Sequence, residues 1–258
     1  MLKKILLTTL FVLLTAAAGI GYFLLAGDYV RRGEAGETIG RIDVVIKDSL
    51  ENSLVSRRDI MGFLNSGEGI LGTRRADIQV DSLEKRLLDR GEISSAEVFS
   101  DNGGVLNVEI QQRRAAIRFS GEGREFYSDP TGYLFPVYKK TDVPIVTGVI
   151  PVKYAAGYKG YPESDRELEW IKGVGSLVRY IENHYYWHKT VEQIDVEPGG
   201  DVVLYTRDAR QKFIFGDFSG IEEKFAKMST YYKGIATLPE AERYTSVNLK
   251  YDKQIICK

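Results

Sequence analysis

The chain has 258 residues, 43% of them hydrophobic and 28% charged, with 35 Lys and Arg against 36 Asp and Glu and a formal net charge of −1. That balance excludes the basic stripe of a nucleic-acid footprint, and the apolar share excludes a disordered stalk. One cysteine, Cys257, leaves no internal disulfide and no multi-cysteine metal cluster, so folding rests on apolar burial.

Residues 1–4 end in Lys3 and Lys4, and residues 5–25 (ILLTTLFVLLTAAAGIGYFLL) carry no charge. As a helix rising about 1.5 Å per residue, this stretch covers about 30 Å, the hydrocarbon thickness of a bilayer. A cleaved signal peptide is the competing reading, with Ala16-Ala17-Ala18 as its small-residue site. The apolar run continues past that site through Ile20, Tyr22, Phe23, Leu24 and Leu25, so an uncleaved anchor is expected. Basic residues on the two sides, Lys3 and Lys4 against Arg31 and Arg32, nearly balance. A four-residue cytoplasmic tail is cheaper to retain than a folded domain, and long C-terminal domains cross largely regardless of charge. The expected orientation has the N-terminus inside and the main domain outside. Residues 26–39, Gly-rich and charged, read as a linker.

In residues 40–112, Ile42, Val44 and Ile46 alternate with Asp43, Val45 and Lys47, as in a half-buried strand. Ser56-Arg57-Arg58-Asp59 has the pattern of a capping box opening a short helix on Ile60, Phe63 and Leu64. A second helix is predicted from about Asp81 to Arg90, with Leu83, Leu87 and Leu88 on one side and Gly91 as its stop. Asp101-Asn102-Gly103-Gly104 marks a hairpin, and Leu106, Val108 and Ile110 alternate on its return strand. The order β-α-α-β-β implies two helices on one face of a three-stranded sheet.

Residues 113–258 read as strands and turns with flanking helices. Ile117 and Phe119 begin one strand and Phe126-Tyr127 another, and Asp129-Pro130-Thr131-Gly132 turns the chain into Tyr133-Leu134-Phe135. Pro144–Val149 is a further strand. Ser164-Asp165-Arg166-Glu167 is a second capping-box pattern, followed by Leu168, Ile171, Val174, Val178 and Ile181 at helical spacing. A hairpin of 193–197 with 201–206 and a strand at 212–215 precede a helix expected to be capped by Ser219. That helix carries Ile221, Phe225, Met228 and Tyr232 and should stop at Gly234. Val247, Leu249 and Tyr251, then Ile255-Ile256, form a closing strand pair pivoting near Asp252-Lys253. The fold class is therefore α+β: an N-terminal transmembrane helix, a β-α-α-β-β domain, and a mixed β-sheet domain.

Catalytic signals are thin. Gly67–Gly72 fits G-x-G-x-x-G, yet it follows a helix and opens none, so it reads as a loop rather than a phosphate site. His184 and His188, the only histidines, lie i, i+4 but lack the glutamate of H-E-x-x-H and a third ligand. No serine or cysteine sits in a nucleophile elbow, and Cys257 reads as a packing residue. Glu163, Asp165, Glu167 and Glu169 suit the positive end of a helix dipole. No cofactor is implied, and the protein is expected not to be an enzyme. A last strand at a sheet edge, by contrast, can accept a partner strand through its unpaired backbone groups.

The order of parts resembles the bacterial cell-division family FtsQ/DivIB, which has a short tail, one membrane helix, a POTRA domain and a β-domain. Leu106–Ile117 (LNVEIQQRRAAI) is similar to that family's exit from POTRA, with Ala115 where the family often has proline. Phe126–Phe135 (FYSDPTGYLF), Val143–Gly148 (VPIVTG), Phe213–Gly216 (FIFG) and Val247–Asp252 (VNLKYD) resemble its later motifs. The resemblance implies a POTRA domain at 40–112, a β-domain at 113–258, and a non-enzymatic scaffold at the division septum. It also implies partners, the bitopic coiled-coil proteins FtsB (DivIC) and FtsL, taken up by strand addition. Carried over to matching positions, the partner-binding residues are Leu249, Tyr251 and Asp252, with Val247 and Ile255 as inferred neighbours. The alternatives are a membrane-anchored envelope hydrolase or metal-dependent enzyme using the two histidines, and a POTRA-type chaperone in envelope protein transport.

Overall fold

The alternation of apolar residues in the first strand recurs as a buried ridge. A computed structural model of the protein describes residues 15–23, 38–49, 54–66, 69–101 and 103–258. Residues 15–23 are helical, with Ile20, Tyr22 and Phe23 exposed. The rest of the expected 5–25 span lies outside the described residues, as does 26–37 of the linker. Among the described residues no helix is long and apolar enough to cross a membrane. Two compact units follow: one ends at Gln111, and the other comprises Asn52–Leu54 with Gln112–Lys258.

In the first unit, β1 (Arg41–Ile46) pairs in parallel with β3 (Val105–Gln112), and β2 (Ile93–Ser100) lies on the other side of β3. The register sets Ile42 beside Leu106 and Val44 beside Val108, all four buried. Between β1 and β2 come α1 (Arg57–Asn65) and α2 (Val80–Leu88), which close this core with Ile60, Leu64, Leu83 and Leu87. The Ser56 capping box forms with both bonds, Asp59 N–H to Ser56 Oγ at 3.2 Å and Ser56 N–H to Asp59 Oδ2 at 2.8 Å. α2 ends at Leu88, two residues before the predicted last helical residue, Arg90. Asp89 closes it in ordinary helical conformation, and Arg90 turns away to bind the buried Glu92 carboxylate at 2.5 Å. Gly91 does not take the left-handed conformation of a glycine stop. In the hairpin, Asp101 Oδ1 accepts from Gly103 N–H and Val105 N–H, and these bonds, Val105 first, hold its carboxyl below the usual range.

The second unit is a nine-stranded mixed sheet. Its strands are β4 (Ile117–Gly121), β5 (Arg124–Ser128), β6 (Leu134–Pro136), β7 (Ile145–Gly148), β8 (Val191–Val196), β9 (Val202–Thr206), β10 (Lys212–Gly216), β11 (Ser246–Asn248) and β12 (Ile256–Cys257). Their spatial order is β12-β11-β10-β9-β8-β7-β4-β5-β6. Alternate residues (Phe119, Val146, Ile194, Leu204, Phe213, Val247) turn to one face and meet α3 (Asp165–Asn183) and α5 (Ile221–Thr230). α3 contributes Ile171, Val174, Leu177, Val178 and Ile181, the stripe its spacing predicts. The opposite face carries residues such as Arg118, Asp195 and Tyr205; beneath β5 and β6 it holds a smaller cluster of Leu54, Ala115, Tyr127 and Phe135.

Two helix starts differ from the capping-box expectation. Ser164 accepts from Glu167 N–H at 3.3 Å, but Glu167 takes Lys153 N–H with its own carboxylate at 3.4 Å, so the box is half built. Ser219 does not cap α5. Its Oγ and N–H both go to Asp217 Oδ1, a charged and hence stronger acceptor, and Gly220 precedes the helix in left-handed conformation. α5 then runs into a π-turn, Tyr231–Ile235. Tyr231, three residues after the buried Met228, enters the core, and Tyr232 lies at its margin, where its hydroxyl meets Thr206 Oγ1 at 2.6 Å.

Candidate functional site

A nine-stranded open sheet has two edges, and they are treated differently. At β6, Leu134 and Gly160 exchange backbone bonds of 2.8 and 3.1 Å, and Pro136 offers no N–H; this edge is blunted. At the other side lies β12, antiparallel to β11 with Val247 opposite Cys257 and Asn248 opposite Ile256. Among the described residues no strand lies beyond it.

The bonds fix which backbone groups face out. Lys258 N–H donates to Ser246 O and Ser246 N–H to Lys258 O, both at 3.0 Å, so these two residues form a hydrogen-bonded pair. In an antiparallel ladder such pairs alternate with unbonded ones. Cys257, one residue on, therefore turns its N–H and C=O away from β11. The Ile255 and Cys257 side chains pack against the large core cluster. Burial pushes the Cys257 thiol above its ordinary pKa, which suits packing rather than nucleophilic chemistry.

The five residues named from the sequence fall in two places. Val247 lies in β11, which is paired with β10 on one side and β12 on the other, and its side chain is 0% exposed. Leu249 is equally buried, and its N–H donates to Ile214 O at 3.0 Å. The strand expected to be the edge is thus interior, because the chain reverses after it and returns alongside. Lys253, in left-handed conformation at φ 51°, is part of that reversal. Tyr251, 50% exposed, and Asp252 sit in the turn, and Ile255 leads into β12.

The sequence reading has Ile255-Ile256 as the returning strand of the closing pair, but it names neither Ile256 nor Cys257 among the partner-binding residues. It also missed the side chains that hold the turn. Lys227 Nζ donates to Leu249 O at 2.9 Å and Tyr251 O at 2.6 Å. Lys250 reaches Asp201 at 2.6 Å with its stem lying over Gly216, where a Cβ would stand 2.6 Å from Lys250 Cγ and where φ is +78°. A glycine is needed there on both counts.

The two histidines do not share a helix face. His184 ends α3, and its Nδ1 accepts the N–H groups of Tyr186 and Trp187 at 3.2 and 3.3 Å, starting the short helix α4 (Trp187–Thr190) that contains His188. The ring is used as a cap. Among the described residues no group of three or more His, Cys, Asp or Glu side chains is placed to hold a metal ion. The Gly67–Gly72 loop is described from Gly69 on, where Gly72 N–H donates to Ile39 O.

Comparison with known proteins divides the chain at the same place as its folding units. Residues 38–111 match the model of the POTRA-like domain, and residues 116–258 match that of the family described as FtsQ/DivIB, C-terminal related. No curated protein matches the chain.

Proposed function

The chain belongs to the FtsQ/DivIB C-terminal related family, and from that premise we propose a non-enzymatic scaffold of cell division that lends the open edge of its second unit to a partner strand. Residues 5–25 anchor it in the cytoplasmic membrane, with both folded units outside, at the septum. The partner is a bitopic coiled-coil protein of the FtsB/DivIC type, acting together with FtsL, and the POTRA-like unit contributes to recruitment. The observation that carries this reading is the outward N–H and C=O of Cys257 on a strand with nothing beside it among the described residues. Strand addition draws affinity from such backbone groups and selectivity from neighbouring side chains, here Tyr251, Asp252 and Ile255.

A proline tests this at one atom. Because the Cys257 N–H points outward, Cys257→Pro deletes a donor to the partner while sparing the bonds between β11 and β12. Binding to the soluble domain of an FtsB/DivIC-type partner should weaken at least about ten-fold, about 1.4 kcal/mol. Cys257→Ser, which keeps the backbone donor, should bind like the parent. Equal affinity for all three chains would mean that the partner does not use this edge.

A further inference from the structure

The turn that delivers β12 to its place is held by a helix rather than by the sheet. After Asn248 the pairing of β11 with β10 ends, and the Leu249 and Tyr251 carbonyls have passed beyond the ladder. Both are taken by the ammonium of Lys227, in the last turn of α5, at 2.9 and 2.6 Å. A lysine has three donors on a flexible stem, so one side chain serves two carbonyls that face the same point. The α5 end is itself firmly seated, since Phe225, Met228 and Tyr231 on either side of Lys227 are fully buried. The other lysine at the turn, Lys250, is bound to Asp201 through a side chain exposed by more than a third, and a pair of that kind holds little.

We infer that Lys227 is the positioning residue of the open edge: by clasping the Leu249 and Tyr251 carbonyls to α5, it makes the chain reverse where Ile256 and Cys257 fall in register beside β11. Its consequence for partner binding rests on the strand-addition reading; its consequence for the edge does not. The core requires no such clasp. Leu249 already donates its N–H to Ile214 O, and its side chain is buried whether or not its carbonyl is held. What depends on Lys227 is the path of residues 250–255, between Leu249 and β12.

Amide hydrogen exchange on the full chain, with Lys227→Met, Lys227→Arg and Lys250→Met, decides the matter. Methionine keeps the stem and removes the donors. In Lys227→Met, the Ile256 and Lys258 amides that pair with β11 should exchange at least ten-fold faster, while those of Leu204 and Phe213 in the sheet centre stay unchanged. Arginine should restore slow exchange, and Lys250→Met should have a smaller effect than Lys227→Met. Affinity for the soluble domain of an FtsB/DivIC-type partner should fall with the loss of protection and return with arginine. Unaltered Ile256 and Lys258 exchange in Lys227→Met would overturn the inference. So would acceleration that spreads equally to Leu204 and Phe213, which would make the residue a general stabiliser. Should the parent chain fail to bind the partner at all, the strand-addition reading falls, and the exchange pattern still judges the clasp.

Discussion

Asp129 shows how much one carboxylate can organise. Its Oδ1 accepts from Thr131 N–H, Thr131 Oγ1 and Tyr133 N–H at 2.8, 2.6 and 3.0 Å, and its Oδ2 from Arg113 Nη1 at 2.8 Å. The Arg113 guanidinium in turn lies 3.7 Å from the centre of the Tyr133 ring. The Asp-Pro-Thr-Gly string announced the turn, but not that an arginine sixteen residues upstream would neutralise it. Asp129→Ala strips Arg113 of a partner while it is largely buried, which costs about 3–5 kcal/mol. Urea unfolding of the variant measures this, and a change below about 1 kcal/mol would show the pair to be dispensable. Asp217 gives the residue scale a pH signature. Bonds from the Lys224 ammonium and then from Ser219 hold its carboxyl at about 2, below the ordinary 3.8. A depressed carboxylate stabilises the fold fully above its unfolded value, so this contribution is intact above pH 4 and lost as pH falls toward 2. The urea midpoint should drop across that window in the parent chain and drop less in Lys224→Met. Parallel pH profiles would contradict the assignment.

At the scale of elements, what was legible followed period and length. The α3 stripe, the alternation of β1 and β3 and the β-α-α-β-β order all rest on several repeats of an apolar spacing, and they form as read. Terminations were less legible, because they depend on competition between acceptors. Ser56 wins its helix N–H and caps α1, while Ser219 loses its hydroxyl to Asp217 and Glu167 gives half its box to Lys153. Ser56→Ala should therefore cost about 0.5–2 kcal/mol in urea unfolding of the first unit, and Ser219→Ala clearly less than Ser56→Ala. Equal losses at the two serines would contradict the difference in capping. The π-turn after α5 was invisible in the same way: Tyr231 and Tyr232 stand three and four residues after Met228, both at helical spacing, and it is Tyr231 that is fully buried. The edge itself was misplaced by one strand. Val247 and Leu249 alternate well because they are core residues of an interior strand, whereas β12 is too short to show any pattern.

For the whole molecule, the POTRA-like match covers residues 38–111 and the FtsQ/DivIB-related match residues 116–258. Removing residues 5–25 is expected to move the protein from the membrane fraction to the soluble one and to leave its affinity for a partner's soluble domain unchanged. Retention in the membrane fraction would point to a second attachment. One measurement reaches the centre of the proposal: amide exchange at Cys257 in the full chain, with and without the soluble domain of an FtsB/DivIC-type partner. Alone, this outward N–H should exchange at close to the rate of an open amide, and in the complex it should be protected at least about a hundred-fold. A complex that forms while Cys257 stays unprotected would show that the partner binds elsewhere.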